Sequence, residues 1–441
     1  MSKSVVSIMR YEKPAESVKK AVELSCGLDN LPLNARVFIK PNIVFWTRQT
    51  VFPKWGVITT SRVVEDMVAL LAERGINDIT IGEGSVHMKP GDTKTPEHAF
   101  EYLGYGNLKK RYGIKYINVF KRPFEKVNLG DGVTLNFNTD IMQSDLVVDL
   151  PVLKTHAQTV VSLGIKNLKG TIDIPSRKKC HSTDPVKDLH FMVSKLANKM
   201  PPIFTLIDGI YTNELGPSYD GRLRRSNILV ASKDILSADM VGAGLLGYKP
   251  TEVPYLVHAA RAHGRPMDLS DIEVVGESME SAASFHKYAF PYTDDGSLPL
   301  PLEKMGIRGL SYKKYDLTLC TYCSIMNGAL LTAIAKAWDG KPWDDVEILT
   351  GKIMKPTPGK KKTILLGQCI YDANKDNPDI QEMIPIKGCP PQSKTVIKAL
   401  HQAGIDIDPA VFENIEKLPG VLMKRYKDKP DFDESFFKVD L

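Results

Sequence analysis

Four of the six cysteines lie in the last third of the chain, at spacings suited to binding a metal or a metal cluster. Cys320 and Cys323 form a Cys-x-x-Cys pair, whose two thiolates can converge on one metal or on one corner of a cluster. Cys369 and Cys389 complete a set of four thiolates, which is enough for tetrahedral zinc or for a 4Fe–4S cluster. The alternative is a redox dithiol or a chance pair, with Cys369 and Cys389 buried as small hydrophobic residues.

The residues around these cysteines favour a cluster over zinc. Cys369 stands in a Gly-x-Cys sequence, and Cys389 in Gly-Cys-Pro-Pro followed by a predicted helix over 393–403. Glycine lets a backbone approach inorganic sulfur closely, and proline fixes the turn. Zinc ribbons usually carry two Cys-x-x-Cys pairs, whereas the sequence has one.

In this order, the motifs resemble the cluster-binding part of nickel–iron hydrogenase small subunits and of their relatives in respiratory complex I. The resemblance covers about residues 315–403. It implies a 4Fe–4S cluster used in electron transfer and held by the four cysteines, Cys320, Cys323, Cys369 and Cys389. Hydrogenase activity is not implied, because the sequence shows neither a nickel-site partner nor a full small subunit.

Lysine and asparagine side chains flank the predicted strand ends of the first 275 residues. Several lysine donors beside glycine-rich turns can form a cradle for phosphate or carboxylate, so we expect a small anionic metabolite to bind there. The alternative is a set of solvated surface lysines. The predicted substrate-binding residues are Lys40, Asn42, Lys166, Asn167 and Lys169.

Three further residues are predicted to be catalytic, namely His156, Lys154 and Glu83. Histidine can act as a general acid or base near neutral pH, although a histidine in this position can also simply cap a turn. Asp208 and Asp239 are further candidates for acid–base chemistry or for a cation site. The sequence lacks a P-loop, and no Gly-x-Gly-x-x-Gly follows the first strand, so the usual nucleotide fingerprints are missing.

A second resemblance depends on an ordered series of short motifs: Lys-Pro-Asn at 40–42, Gly-Glu-Gly-Ser at 82–85, Leu-Lys-Thr-His at 153–156 and Ile-Lys-Asn-Leu-Lys-Gly at 165–170. The series resembles the family called domain of unknown function 362, over about residues 5–275. Members of that family often carry an iron–sulfur module. The resemblance implies an α/β fold and an iron–sulfur association, but no established reaction.

Short apolar runs alternate with amphipathic segments in the first part of the chain. A helix is predicted over 61–74, capped by Ser61, and strands are predicted at 36–40, 78–82, 145–150, 203–207 and 227–231. This alternation indicates an α/β fold with a largely parallel, helix-covered sheet, and ligands of such sheets usually lie at the carboxyl ends of the strands.

A second, smaller α/β iron–sulfur domain is predicted to follow an irregular connection over 276–312. Its predicted strands are 315–320 and 362–366, and its predicted helices are 326–338 and 393–403. The predicted domains are therefore 1–290, with the anion site, and 291–441, with the cluster. We assign the charged and aromatic tail after Leu418 to a surface extension.

Composition narrows the functional class. The 441 residues are 43% hydrophobic and carry a formal net charge of +6, which is too small an excess to predict a nucleic-acid binder. No apolar run is long enough for a membrane span, and the first residues lack the apolar core of a signal peptide, so we expect a cytoplasmic protein. Six cysteines are too few for a disulfide scaffold.

The leading functional hypothesis is an oxidoreductase that acts on a small anionic metabolite and exchanges electrons with a redox partner protein through a 4Fe–4S cluster. One alternative is a non-catalytic electron carrier or a cluster-bearing adaptor. Another is a non-redox enzyme with structural zinc. A homo-oligomer is compatible with each of these hypotheses.

Overall fold

A computed structural model describes residues 3–50, 54–86 and 91–440. The chain divides into two compact units. Unit 1 comprises Met1–Arg177, His190–Ala289 and Leu422–Leu441, and unit 2 comprises Lys178–Leu189 and Phe290–Val421. The predicted boundaries, 1–290 and 291–441, assign both 178–189 and 422–441 to the other domain.

The strands have the following bounds: β1 (Ser4–Arg10), β2 (Arg36–Pro41), β3 (Asp78–Glu83), β4 (Lys115–Asn118), β5 (Phe124–Gly130), β6 (Val133–Asn138), β7 (Leu146–Leu150), β8 (Val152–His156), β9 (Val160–Ser162), β10 (Ile203–Glu214), β11 (Arg222–Ser232), β12 (Ile272–Gly276), β13 (Leu310–Tyr312), β14 (Val346–Leu349), β15 (Lys362–Leu366) and β16 (Glu382–Ile386).

The α-helices have the following bounds: α1 (Glu16–Leu24), α2 (Ser61–Glu73), α3 (Lys94–Tyr102), α4 (Tyr105–Tyr112), α5 (Thr139–Met142), α6 (Gly164–Asn167), α7 (Ile174–Cys180), α8 (Leu189–Ser194), α9 (Ile235–Leu245), α10 (Pro254–Ala262), α11 (Met279–Ala282), α12 (Leu300–Lys304), α13 (Thr321–Ser324), α14 (Asn327–Ala337), α15 (Gln368–Asn374), α16 (Ser393–Gln402), α17 (Ala410–Glu413) and α18 (Leu418–Met423). None of the helices in the described part of the chain is both long and apolar enough to cross a membrane.

The described strands of unit 1 form a ten-stranded sheet in the order β12-β1-β11-β10-β7-β2-β3-β4, with β8 paired to β10 and β9 paired to β8. The pairs β2–β7, β2–β3, β3–β4, β7–β10, β8–β10 and β1–β12 are parallel, whereas β1–β11, β10–β11 and β8–β9 are antiparallel. The predicted α/β class with a largely parallel sheet is therefore confirmed.

Two predicted strands extend well beyond their apolar runs. The predicted strands 203–207 and 227–231 are parts of β10 and β11, which pair with each other as far as Glu214 and Arg222. Apolar patterning misses these extensions because their residues include Asn213 and Arg224. The start of α2 also differs by one residue, since Thr60 is its N-cap and accepts a hydrogen bond from the Val63 N–H.

Unit 2 contains a four-stranded sheet in the order β13-β14-β15-β16, and every neighbouring pair in it is parallel. All four strands therefore end at the same edge of this sheet. Leu349, Leu365 and Ile370 pack together in its core. Unit 2 is thus α/β, as predicted.

The predicted strand 315–320 is wrong. The Asp316 carboxylate accepts a hydrogen bond from the Thr318 N–H at 2.7 Å, which closes a turn of the kind that aspartate favours. Thr318 and Leu319 are both about 2% exposed, so this alternation of residue types belongs to a buried loop rather than to a strand. The loop leads directly to Cys320 and the start of α13.

The tail is not a surface extension, because Leu422–Leu441 belongs to unit 1. The Phe432 ring lies 5.9 Å from that of Tyr211, and the Trp55 indole N–H donates to the Asp433 carbonyl at 3.0 Å. Phe437 is only 3% exposed. The aromatic residues that made the tail look unusual are therefore part of a packed core.

Replacing Phe437 by alanine should lower the free energy of unfolding by about 3–5 kcal/mol, because it removes a buried aromatic ring and leaves a cavity. Urea denaturation would measure the change. Asp431→Ala, at an exposed position in the same segment, should change stability by less than about 0.5 kcal/mol. Equal, small effects of the two substitutions would contradict the packing described for this tail.

Candidate functional site

Lys40 and Glu83 form a buried ion pair in unit 1, at the ends of β2 and β3. The Lys40 ammonium donates to a Glu83 carboxylate oxygen at 2.8 Å and to the Pro41 carbonyl at 2.7 Å, and its side chain is fully buried. Burial lowers the pKa of Lys40, and the Glu83 carboxylate opposes that shift. Backbone N–H groups of Ile43 and Gly84 donate to the same carboxylate. The pair is therefore held from several sides.

Gly170 must be a glycine for this ion pair to fit. A Cβ atom at this position would lie 2.3 Å from a Glu83 carboxylate oxygen and 2.6 Å from the Lys40 nitrogen. Either contact would push the pair apart. The last glycine of the Ile-Lys-Asn-Leu-Lys-Gly motif therefore packs directly against the side chains of Lys40 and Glu83.

Asn167 connects this pair to two neighbouring strands. Its amide oxygen accepts from the Lys40 ammonium at 3.2 Å and from the Asn42 amide at 3.0 Å. Its amide nitrogen donates to the Asp149 carboxylate at 2.8 Å. Asp149 lies opposite Lys40 in the register between β2 and β7. We call Lys40, Asn42, Glu83, Asp149, Lys154 and Asn167 the buried polar network.

Lys154 enters the network from β8. Its ammonium donates to the Asn42 side-chain oxygen at 2.6 Å and to the Val57 carbonyl at 2.7 Å, and the residue is 1% exposed. Burial lowers its pKa to about 7, an effect that Glu83 opposes and Lys40 reinforces. A buried lysine with such a pKa can take up or release a proton near neutral pH.

His156 and Lys166 are half-buried residues of unit 1 that lie next to each other. The His156 Nε2 and Lys166 Nζ atoms are 3.3 Å apart. The His156 Nδ1 atom accepts hydrogen bonds from the N–H groups of Gln158 at 3.1 Å and Thr159 at 3.4 Å. With Nδ1 accepting, a neutral imidazole carries its proton on Nε2. Two hydrogen-bond donors therefore face each other at this point.

The carboxylates of Asp239 and Asp208 accept hydrogen bonds from backbone N–H groups at the starts of helices, and both are buried. Asp239 accepts from the N–H groups of Gly164 at 2.6 Å and Ile165 at 3.0 Å, at the start of α6. Burial raises the pKa of Asp239 to about 7 in spite of these bonds. Asp208 accepts from the Thr60 N–H, beside the start of α2. Since α6 carries Lys166 and Asn167, Asp239 positions both.

The predicted residues of unit 1 therefore fall into two groups. Lys40, Glu83, Asn42, Asn167 and Lys154 share the buried polar network, whereas His156 and Lys166 form a separate, more exposed pair. Lys169 is buried in the short 3-10 helix Leu168–Thr171. Asp149 was missed from the sequence, and a charged residue inside the apolar run Leu146–Leu150 is the signal that would have revealed it.

In unit 2 the four predicted cysteines come after strands β13, β15 and β16 along the chain, and two of them lie within short helices. Cys320 directly precedes α13 and Cys323 lies within it, while Cys369 follows β15 and Cys389 follows β16. Cys320 is buried, whereas Cys369 and Cys389 are exposed, and all four are free thiols. We call Cys320, Cys323, Cys369 and Cys389, together with the segments that carry them, the cysteine edge.

The thiols of the cysteine edge interact with one another electrostatically. Burial raises the pKa of Cys323, and Cys320, Cys389 and Cys369 raise it further. Burial also raises the pKa of Cys369; the Lys352 ammonium opposes this shift, and Cys320 and Cys389 add to it. The thiolate forms of Cys323 and Cys369 are therefore both disfavoured by neighbouring thiolates.

Gly367 permits this convergence. Its φ of 108° is in the region that favours glycine, and a Cβ atom there would lie 2.9 Å from the Cys323 sulfur. The loop after β15 can thus approach α13 closely. Among the described residues, which include all six cysteines, no group of three or more His, Cys, Asp or Glu side chains is arranged to hold a single metal ion.

Lys178 also reaches the cysteine edge, which the sequence did not indicate. Its Nζ atom lies 3.1 Å from the Cys389 sulfur. Lys178 is about 140 residues from the nearest of the four cysteines in the sequence. It lies beside Cys389 because the segment Lys178–Leu189 packs as part of unit 2. No local pattern could have identified it.

Comparison with known families agrees with the motifs of unit 1. Residues 37–244 match a family described as domain of unknown function (DUF362). The match lies inside the segment whose motifs resemble that family and includes every predicted site residue of unit 1. The family description names no activity. The resemblance of residues 315–403 to a cluster-binding module stays a prediction.

Two known proteins share part of the sequence or fold. The chain is 26% identical to the thylakoid-associated protein sll1697 of Synechocystis sp. over 231 residues. This aligned region covers 51% of the present chain and 67% of that protein. The structure of the lactate racemase apoprotein from Thermoanaerobacterium thermosaccharolyticum has 14% identity and a TM-score of 0.32, covering 56% of this chain and 57% of that one. The second similarity is too weak to support any conclusion.

The lowered pKa of Lys154 predicts a specific pH dependence of stability. Its pKa is about 7 in the folded chain and about 10.4 when unfolded, so between these values the unfolded chain binds more protons. Stability should therefore rise with pH across this range, by up to about 1.4 kcal/mol per pH unit from this group. Lys154→Met should lack that contribution when urea unfolding is measured from pH 7 to 10.

Lys109→Met is a matched control, because Lys109 is an exposed lysine of the same unit. Its pH profile should be parallel to that of the wild type. If Lys154→Met and wild type have parallel profiles too, then Lys154 is not the buried, deprotonating group described above.

Proposed function

We propose that this chain is an iron–sulfur redox protein whose 4Fe–4S cluster is held by Cys320, Cys323, Cys369 and Cys389. The observation that carries the proposal is that the thiols of Cys320, Cys369 and Cys389 lie near enough to Cys323 to raise its pKa. A cluster cation core would reverse that repulsion, because it stabilises thiolates. Such a cluster would supply one-electron transfer when bound.

The residues around the cysteines favour a cluster over a single zinc ion. Zinc ribbons usually hold the metal with two Cys-x-x-Cys pairs, whereas Cys369 and Cys389 are single cysteines. Each lies close to a glycine with a positive φ, 108° at Gly367 and 119° at Gly388, and glycine lets the backbone approach inorganic sulfur closely. Structural zinc is therefore the weaker hypothesis.

The substrate side of the proposal concerns unit 1. We assign a small anionic metabolite to the His156–Lys166 pair, because two donors 3.3 Å apart can both donate to one carboxylate or phosphate oxygen. Lys154, with a pKa of about 7, could hold or release a proton. The chain would then be an oxidoreductase that exchanges electrons with a redox partner protein.

A second candidate, a non-catalytic electron carrier, is favoured by the burial of the other predicted residues. Lys40 and Lys154 are at most 1% exposed, and both ammonium groups already donate to groups of the protein itself. Glu83 likewise accepts from Lys40 and from the backbone. In this conformation these three residues stabilise the fold of unit 1, and a carrier needs no more than that.

The cluster proposal predicts which cysteines retain iron. Cys389→Ser should lose most bound iron and sulfide after anaerobic reconstitution, because it removes one of four ligands. Cys26→Ser should retain both, since Cys26 is an exposed cysteine of unit 1. Iron and sulfide analysis together with the visible spectrum would measure the loss. Colourless wild-type protein with one zinc per chain and no sulfide would overturn the proposal.

The anion site makes a separate prediction. Lys166→Ala should weaken the binding of inorganic phosphate or of a small dicarboxylate by roughly tenfold to a hundredfold, the effect of losing one charge-assisted hydrogen bond of about 1.5–3 kcal/mol. Isothermal titration calorimetry would measure it, with iron content unchanged. Lys199→Ala, at an exposed lysine of the same unit, is the control.

The same titration separates the two candidate functions. A wild-type protein that binds no phosphate or carboxylate at millimolar concentration would favour the electron carrier. Equal losses in the Lys166 and Lys199 variants would show that the effect is general surface charge and would remove the site.

A further inference from the structure

Lys178 contacts Cys389 and lies over the ring of Tyr322. Its ammonium lies 3.1 Å from the Cys389 sulfur and 5.2 Å from the centre of the Tyr322 ring, between Cys320 and Cys323 in the sequence. An ammonium at this distance from sulfur is a charge-assisted donor when the sulfur is a thiolate. Lys178 is half-buried, so water screens its charge less than that of a fully exposed lysine.

The position of Lys178 is fixed through its backbone. The Lys352 ammonium donates to the Lys178 carbonyl at 3.3 Å and also to the His181 carbonyl. The His181 ring is in turn hydrogen-bonded to the Leu317 carbonyl at 2.8 Å. Lys352 follows β14, and Leu317 precedes Cys320. The loops of the cysteine edge thus hold the segment that carries Lys178.

Charge and hydrogen bonding at cluster sulfurs determine reduction potential. Reduction adds one negative charge to a cluster that four thiolates have already made anionic, so a nearby cation stabilises the reduced form more than the oxidised form. Removing the cation therefore lowers the potential. Lys178 is the residue whose ammonium the structure places against a cysteine sulfur within the described part of unit 2.

We propose that Lys178 raises the reduction potential of the cluster by donating to the Cys389 sulfur, and that Lys352 acts as the positioning residue that holds it there. This inference rests on the proposed iron–sulfur function. It adds to that function a regulator of potential that comes from outside the cysteine-bearing sequence.

Anaerobically reconstituted full-length protein is titrated electrochemically, and the reduced fraction is followed by EPR and by visible absorption. In Lys178→Met, the ratio of reduced to oxidised cluster at a fixed potential should fall about tenfold, which is about 59 mV for a one-electron couple. Lys178→Arg keeps the charge and should remain close to wild type. Lys352→Ala should shift the potential in the same direction as Lys178→Met, because it removes the bond that holds Lys178 and also removes a cation that acts on Cys369.

Lys179→Ala is the matched control, because Lys179 is the adjacent, exposed lysine and should leave the potential unchanged. The midpoint potential does not depend on how much protein carries a cluster, so a partly loaded variant still gives a reading. If Lys178→Met loses all iron, Lys178→Gln, which keeps a neutral donor, gives that reading instead.

The outcomes separate the two proposals. A cluster with the same potential in wild type and in the Lys178→Met or Lys178→Gln variant would overturn the role of Lys178 and leave the iron–sulfur function standing. Equal shifts in the Lys178 and Lys179 variants would assign the effect to general surface charge and would also overturn it. Wild-type protein that takes up no iron and sulfide would overturn the proposed function itself.

Discussion

The buried ion pair between Lys40 and Glu83 determines the conformation of the loops that follow β2 and β3. A buried charge is stable only when it is paired and hydrogen-bonded, so the surrounding backbone must supply the remaining partners. Ile43 and Gly84 donate to the carboxylate, Pro41 accepts from the ammonium, and Gly170 leaves the space the pair occupies. The conformations of three loops therefore depend on one ion pair.

Asn167 links this ion pair to the half-buried Lys166 and His156. It accepts from Lys40 and donates to Asp149, and it lies in α6 beside Lys166. The start of α6 is held independently by Asp239. The accessible Lys166 is thus fixed from both ends of a single turn of helix, and its distance to His156 follows from buried contacts rather than from surface ones.

Sequence pattern predicted the parts of this protein that depend on local periodicity and on residue type. The strands at 36–40 and 362–366 lie within β2 and β15, and Cys369 and Cys389 each follow a strand of unit 2 by three residues. It failed where partners are distant along the chain. Lys40 looks like a solvated lysine until Glu83 and Asn167 are placed beside it, and Lys178 has no local signal for its contact with Cys389. The apolar alternation at 315–320 misled for the converse reason, since tertiary burial and not a strand produced it.

Both units carry polar or reactive side chains beyond strands of a parallel sheet, but the charges of these side chains differ between the units. In each, polar or reactive groups follow the carboxyl ends of parallel strands, where ligands of such sheets usually bind. In unit 1 the groups of opposite charge neutralise one another, so they can be buried without a large desolvation cost. Few of these charged groups are accessible to a ligand. In unit 2 the four thiols have the same charge when ionised, and their neighbours raise the pKa of Cys323 and of Cys369. Four such groups at one edge are stable as thiolates only when positive charge is supplied. Lys178 brings one positive charge to the Cys389 sulfur, and the proposed cluster core would bring more.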